Sequence, residues 1–292
     1  MKIRASAPMP VKQAGRVVSR TFGRATSGQR MLPEVLVIGC NRSGTTALHR
    51  ALVAHPLITP PNLHKGVGYF DLNYQRGERW YRGHFPIQAV ATWRSGQRVR
   101  LPMAMETSNY YFDYPWAADR IAKDLPHVRM IAILRNPVER AHSAYRHNVN
   151  RGMETESFES TIELEATRNL GEQDRIRADP QYESFADRSQ SHLRRGQYAD
   201  RLEVYFELFD RTQIHVMFTE DFEQRPEEEY DAILRFLDLP AHHPAAGFPR
   251  WNAAPPAEML PETRRFLEDH YAPYDDRLQQ LLGRSLPWRA HR

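Results

Sequence analysis

The sequence predicts a single α/β domain of three layers, a mostly parallel central sheet flanked by helices, on three observations. An apolar run at 34–38 opens into Gly39-Cys40-Asn41-Arg42-Ser43-Gly44-Thr45-Thr46 and then into a stretch with apolar residues at Leu48, Ala51 and Leu52. That is the pattern of strand, tight loop and amphipathic helix. A second apolar run, 129–134, ends in Arg135-Asn136-Pro137, and Pro137 suits the first turn of a helix through Val138, Ala141, Ala144 and Tyr145. A third, 213–218, precedes a helical stretch through Leu234 and Leu237. Strands that alternate with helices assemble into parallel sheets.

Length and composition set the limits. The chain has 292 residues, 41% of them hydrophobic, enough for one sizeable core. Lys2, Arg4, Lys12, Arg16, Arg20, Arg24 and Arg30 precede the first acid, Glu34, so the net charge of +4 becomes −3 once these seven are set aside. Residues 1–33 therefore read as a basic, disordered, solvated arm, and 34–292 as the folded domain. Weak attraction of the arm to an anionic surface, and an Arg/Ser-rich targeting role, stay open; no nucleic-acid partner is expected. The single cysteine, Cys40, excludes an intramolecular disulfide and a cysteine-rich zinc site. No stretch reaches the roughly 18–20 apolar residues of a membrane span, and the reading is a soluble, cytoplasmic protein.

The loop at 39–46 is built to hold an anion. Glycines let backbone N–H groups converge, and a helix start adds unpaired donors and the positive end of its dipole. The frame G-x-x-x-x-G matches a nucleotide-triphosphate loop, but Thr45 stands where lysine is expected and a cation, Arg42, sits inside the loop. The strand at 129–134 ends in Arg135 where such a loop is usually accompanied by a magnesium-binding aspartate. No metal requirement is expected.

Asn41-Arg42-Ser43-Gly44-Thr45-Thr46 followed by Leu134-Arg135-Asn136-Pro137-Val138-Glu139-Arg140-Ala141-His142-Ser143 resembles the paired nucleotide motifs of sulfotransferases that use 3′-phosphoadenosine 5′-phosphosulfate (PAPS), closest to bacterial and glycan-type members. The resemblance implies that Asn41, Arg42, Ser43, Gly44, Thr45 and Thr46 hold the 5′-phosphosulfate, with Arg42 the catalytic cation that stabilises the charge growing on the leaving 5′-phosphate, while Arg135 and Ser143 hold the 3′-phosphate. It further implies that Tyr198, in the Arg195-Gly196-Gln197-Tyr198 segment, lies beside the nucleotide and that Arg250 belongs to a loop closing over it. Animal Golgi members carry an N-terminal anchor, so its absence points to a bacterial or cytosolic setting.

Two positions depart from the family. The segment His64-Lys65-Gly66-Val67-Gly68-Tyr69-Phe70-Asp71 resembles K-E-x-H-F-F-D, but Gly66 replaces the catalytic glutamate and Gly68 the histidine. Neither glycine moves a proton. His64, two residues earlier, and Glu106, at the end of a strand within 98–106, are the rival candidates for the base. Glu106-Thr107-Ser108 resembles the family's E-K-x-P-x-Y, with Thr107 in place of lysine. Residues 151–195 read as solvated helices, with a mobile cover as the alternative. Tyr69, Phe70, Tyr74, Trp80, Tyr81, Tyr110, Tyr111 and Trp116 either stack an acceptor or fill the core. The preferred function is sulfuryl transfer from PAPS to a hydroxyl of a glycan, lipid or small molecule. A phosphate-loop kinase and a non-catalytic nucleotide- or glycan-binding module are the alternatives.

Overall fold

The computed structural model describes residues 22–96, 100–249 and 259–289. Five strands, β1 (Pro33–Gly39), β2 (Ile58–Thr59), β3 (Met103–Thr107), β4 (Arg129–Leu134) and β5 (Ile214–Phe218), form one sheet in the order β2-β3-β1-β4-β5. Every pairing is parallel, with Leu36 opposite both Glu106 and Met130, and Ala132 opposite Val216. Parallel strands are covered on both faces, which is why β1 and β4 are apolar almost throughout. Leu36, Ile38, Met130, Ala132 and Leu134 face one core, and Val35, Val37, Ile131 and Ile133 face the other.

The helices follow in chain order: α1 (Thr45–Val53), α2 (Glu78–Arg82), α3 (Gln88–Ser95), α4 (Ala117–Asp124), α5 (Pro137–Val149), α6 (Phe158–Arg168), α7 (Glu172–Ala178), α8 (Phe185–Gln190), α9 (Tyr198–Leu208), α10 (Thr219–Gln224), α11 (Pro226–Phe236) and α12 (Pro261–Leu282). Helices α4, α9 and α12 cover the first face through Ile121, Leu202 and Leu278. Helices α1 and α11 cover the second through Leu48, Leu52, Tyr230, Ile233 and Leu234. The predicted three-layer α/β architecture is the one observed.

The connection from β1 runs toward the β2 edge and that from β4 toward β5, so the loops after β1 and β4 diverge from adjacent strands. Such a switch point is where open parallel sheets form a ligand crevice. Both motifs lie there by construction of the topology.

Of the stretch 1–33 expected as a disordered arm, residues 22–33 are folded. Residues 1–21 lie outside the described residues, but 22–25 are helical and Ser27, Arg30 and Met31 are buried. Arg30 donates to the Phe85 carbonyl, and Arg82 donates to the carbonyls of Ser27 and Arg30. A cation that satisfies buried carbonyls is structural rather than part of a solvated tail. The 151–195 region forms the short helices α6 to α8, whose inner sides bury Phe158, Ile162 and Ile176.

Two buried histidines make the fold acid-sensitive. Burial, then Arg140 and Arg195, lowers His192 to about 3, and burial, then Arg284, lowers His215 to about 4. Above about pH 6.5 both are neutral folded and unfolded, and their contribution is fully present. Below it the unfolded chain binds protons that the fold refuses, so stability falls as pH drops toward 4, by up to about 1.4 kcal/mol per pH unit for each histidine. Urea midpoints at pH 7, 5.5 and 4.5 should show this loss, and His215→Asn should flatten the slope by about one histidine's share.

Candidate active site

The loop after β1 is shaped by two left-handed residues, Arg42 at φ 70° and Gly44 at φ 84°. Thr219 Oγ1 lies 2.9 Å from the carbonyls of both Ser43 and Leu134, tying the loop to the end of β4. Helix α1 starts at Thr45 with no side-chain cap, leaving first-turn N–H groups for an outside acceptor. The Ser43 hydroxyl is buried without a hydrogen-bond partner among the described residues. Cys40 is a buried free thiol.

The two motifs touch through Arg42. Its Nε donates to Ser143 Oγ at 3.1 Å, and Arg135 Nη1 donates to the Arg42 carbonyl at 3.4 Å. Burial, then Arg135 and Arg146, pushes the Arg42 pKa down, the mark of cations gathered without a counter-charge. The Asn136 side chain caps α5 by accepting from Val138 N, and Glu220 accepts from Asn136 N. Tyr198 corrects its expected role: it is buried in the core and its hydroxyl donates to the Arg135 carbonyl at 2.9 Å. It positions the strand tip from behind instead of lining the cleft. Arg250 lies outside the described residues.

A second polar group sits beside Thr45 and Thr46. Lys65 Nζ is 3.3 Å from each of their hydroxyl oxygens. His49, one turn further along α1, places Nδ1 at 2.9 Å from Thr107 Oγ1. Burial, then Lys65 and Arg50, lowers His49 to about 4, so it is neutral at pH 7. The sequence reading passed over both residues. Lys65 was legible as the matched lysine of K-E-x-H-F-F-D, and His49 as the residue one helical turn beyond Thr45.

Glu106 is not available as a base. It is fully buried, and its Oε1 accepts from Val67 N (2.7 Å), Gly68 N (3.1 Å), Ser108 Oγ (2.6 Å) and Tyr111 Oη (2.9 Å), while Oε2 accepts from Tyr81 Oη. Four donors crowd Oε1 and Tyr81 holds Oε2, so the buried carboxylate is already committed to the chain's own groups. The same contacts explain the two glycines. A Cβ at Gly66 would lie 2.4 Å from the Thr107 carbonyl, and one at Gly68, where φ is 65°, would lie 2.8 Å from Asp71 Oδ1. Side chains are excluded at both positions by the chain's own backbone and by Asp71.

His64 is exposed and lines a groove of about 120 Å³ with Gly66, Val67, Asn73, Arg76 and Trp80. Of the aromatic residues proposed to stack an acceptor, Tyr69, Phe70, Tyr81, Tyr110 and Tyr111 are core residues, while Tyr74, Trp80 and Trp116 are partly buried against it.

Comparison with known proteins places this geometry. Residues 32–247 match the family model described as the sulfotransferase domain. The chain belongs to the sulfotransferase family. The sulfotransferase of Alicyclobacillus acidocaldarius superposes with a TM-score of 0.66 at 27% identity, over 88% of this chain and 99% of that one. The bifunctional heparan sulfate N-deacetylase/N-sulfotransferase 1 of Caenorhabditis briggsae is 27% identical over 225 residues, 73% of this chain and 23% of the relative. Heparan sulfate glucosamine 3-O-sulfotransferase 3B1 of Mus musculus is 25% identical over 289 residues, 90% of this chain and 66% of the relative. The chain thus spans about a quarter of the length of the first of these curated relatives. The family match takes in the 39–46 loop, the Lys65 segment, Glu106 and the motif at 135–143.

Glu106→Gln tests its reassignment. An amide keeps the shape but turns a donor toward donors, leaving buried groups unsatisfied at about 1–3 kcal/mol each. The variant should unfold at clearly lower denaturant concentration than wild type. Unchanged stability would return Glu106 to the list of candidate bases.

Proposed function

We propose that the protein transfers a sulfuryl group from PAPS to a hydroxyl of an acceptor. The observation that carries this reading is the meeting of the two motifs at the switch point, with Arg42 Nε on Ser143 Oγ and Arg135 on the Arg42 carbonyl. Arginine forks and the Ser143 hydroxyl, midway along α5, suit a terminal phosphate dianion. The uncapped start of α1, with Thr45 and Thr46, suits a second anion at the other end of the same ligand. The kinase reading is weakened because Glu106, the carboxylate at the β3 tip, is spent on internal hydrogen bonds.

Bound PAPS supplies the activated sulfuryl group. Negative charge grows on its 5′-phosphate during transfer, so N–H and cationic groups fixed around the start of α1 stabilise the transition state. We place the acceptor in the groove beside Gly66, where Asn73, Arg76 and Trp80 offer polar and aromatic contacts. The relatives named for heparan sulfate make a glycan the first acceptor class to screen. His64, on the rim of that groove, is the residue assigned to accept the hydroxyl proton.

Ligand binding to the native state raises the melting temperature by mass action, which gives a direct check. Adenosine 3′,5′-bisphosphate should shift the melting temperature strongly, and AMP or ATP with magnesium only weakly. Equal shifts from AMP and the bisphosphate would remove the 3′-phosphate site. Turnover of labelled PAPS against glycan, lipid and phenolic acceptors separates an enzyme from a binding module. His64→Ala should then keep bisphosphate binding and lose transfer rate by about 10²–10⁴-fold, the scale of general base catalysis.

A further inference from the structure

We propose that Lys65, a residue outside both nucleotide motifs, is the cation that binds the 5′-phosphate end of the nucleotide. This deepens the reading above and rests on it. Lys65 Nζ lies 3.3 Å from Thr45 Oγ1 and 3.3 Å from Thr46 Oγ1, over the first turn of α1. The first-turn N–H groups of that helix have no side-chain cap. Ammonium, two hydroxyls and free backbone donors therefore converge on one point, and all of them suit an anion.

No carboxylate pairs with Lys65 among the described residues. The closest candidate by position, Glu106, is taken up by Val67, Gly68, Tyr81, Ser108 and Tyr111. Burial lowers the Lys65 pKa to about 8. A half-buried ammonium held on hydroxyls, without a counter-charge, is costly in the ligand-free protein, and that cost is relieved when an anion arrives.

Geometry also separates Lys65 from the cation inside the loop. Arg42, expected on the 5′-phosphosulfate, instead donates to Ser143 Oγ and has its carbonyl bonded by the Arg135 side chain, the two residues expected on the 3′-phosphate. Thr107, at the β3 tip, carries a hydroxyl directed at His49, and its N–H donates to the Lys65 carbonyl at 2.9 Å. The β3 tip thus anchors the backbone of Lys65, and the neighbouring loop contributes the charge.

Titration calorimetry with adenosine 3′,5′-bisphosphate and adenosine 3′-phosphate tests the assignment without an acceptor, because the two nucleotides differ only at the 5′ end. Wild type should prefer the bisphosphate. Lys65→Met should weaken bisphosphate binding by at least about tenfold, the loss of one charge-assisted contact, and leave the 3′-phosphate unchanged. Its ligand-free melting temperature should match or exceed that of wild type, since an uncompensated cation is gone. Lys65→Gln, read the same way, serves if the Met variant does not fold. Arg135→Ala should weaken both nucleotides. A Lys65 variant that keeps the wild-type preference, or weakens both nucleotides equally, overturns the proposal. Wild-type protein that binds neither nucleotide removes the nucleotide reading itself, and this assignment with it.

Discussion

The site depends on one buried carboxylate. Glu106 ends β3 and collects hydrogen bonds from the 67–68 backbone, from Tyr81 in α2 and from Ser108 and Tyr111. Those donors come from three separate stretches of chain. A buried carboxylate left unpartnered would be very unfavourable, so each donor is held in place by the need to satisfy it. The loop carrying Lys65 is thereby docked onto β3, and the aromatic cluster of Tyr69, Phe70 and Tyr81 packs behind it, with Tyr69 and Tyr81 stacked at 4.4 Å.

That docking divides the cleft into two polar centres. One lies between the loop after β1, the end of β4 and the middle of α5, where Arg42, Arg135 and Ser143 meet. The other lies over the start of α1, where Lys65 faces Thr45 and Thr46. The parallel pairing of β1 with β4 puts both motifs on one side of the sheet, because each loop leaves from the C-terminal end of its strand. Cations concentrated at both centres without matching acids favour a ligand with two anionic ends.

The departures from the family pattern have a steric cause. At Gly66 the Thr107 carbonyl and the Ser108 hydroxyl stand where a side chain would begin. At Gly68 the left-handed backbone and Asp71 do the same. Replacing these glycines with the family residues would therefore require the loop to leave Glu106. The chain has taken a tightly sealed loop at the cost of two proton-transfer side chains, and His64 and His84 in the groove and His49 on α1 are imidazoles that lie nearby.

Much of this was legible in the chain itself. The apolar runs and the glycine loop determined the parallel sheet, the phosphate loop and the helix after Pro137, because burial on both faces and left-handed backbone each demand particular residue types over a short span. The paired motifs determined the family. Only the tertiary structure decided what distant side chains do to one another. Glu106 reads as a base in sequence and is a structural acceptor in space, because its donors lie as much as 39 residues away. Tyr198 reads as a ligand contact and is a support for Arg135, 63 residues distant. Lys65 had no local signal of function beyond a matched letter, since its role arises from approaching Thr45 and Thr46 across a turn of chain. Hydrogen-bond satisfaction in a closed core is a non-local sum, and local pattern carries no record of it.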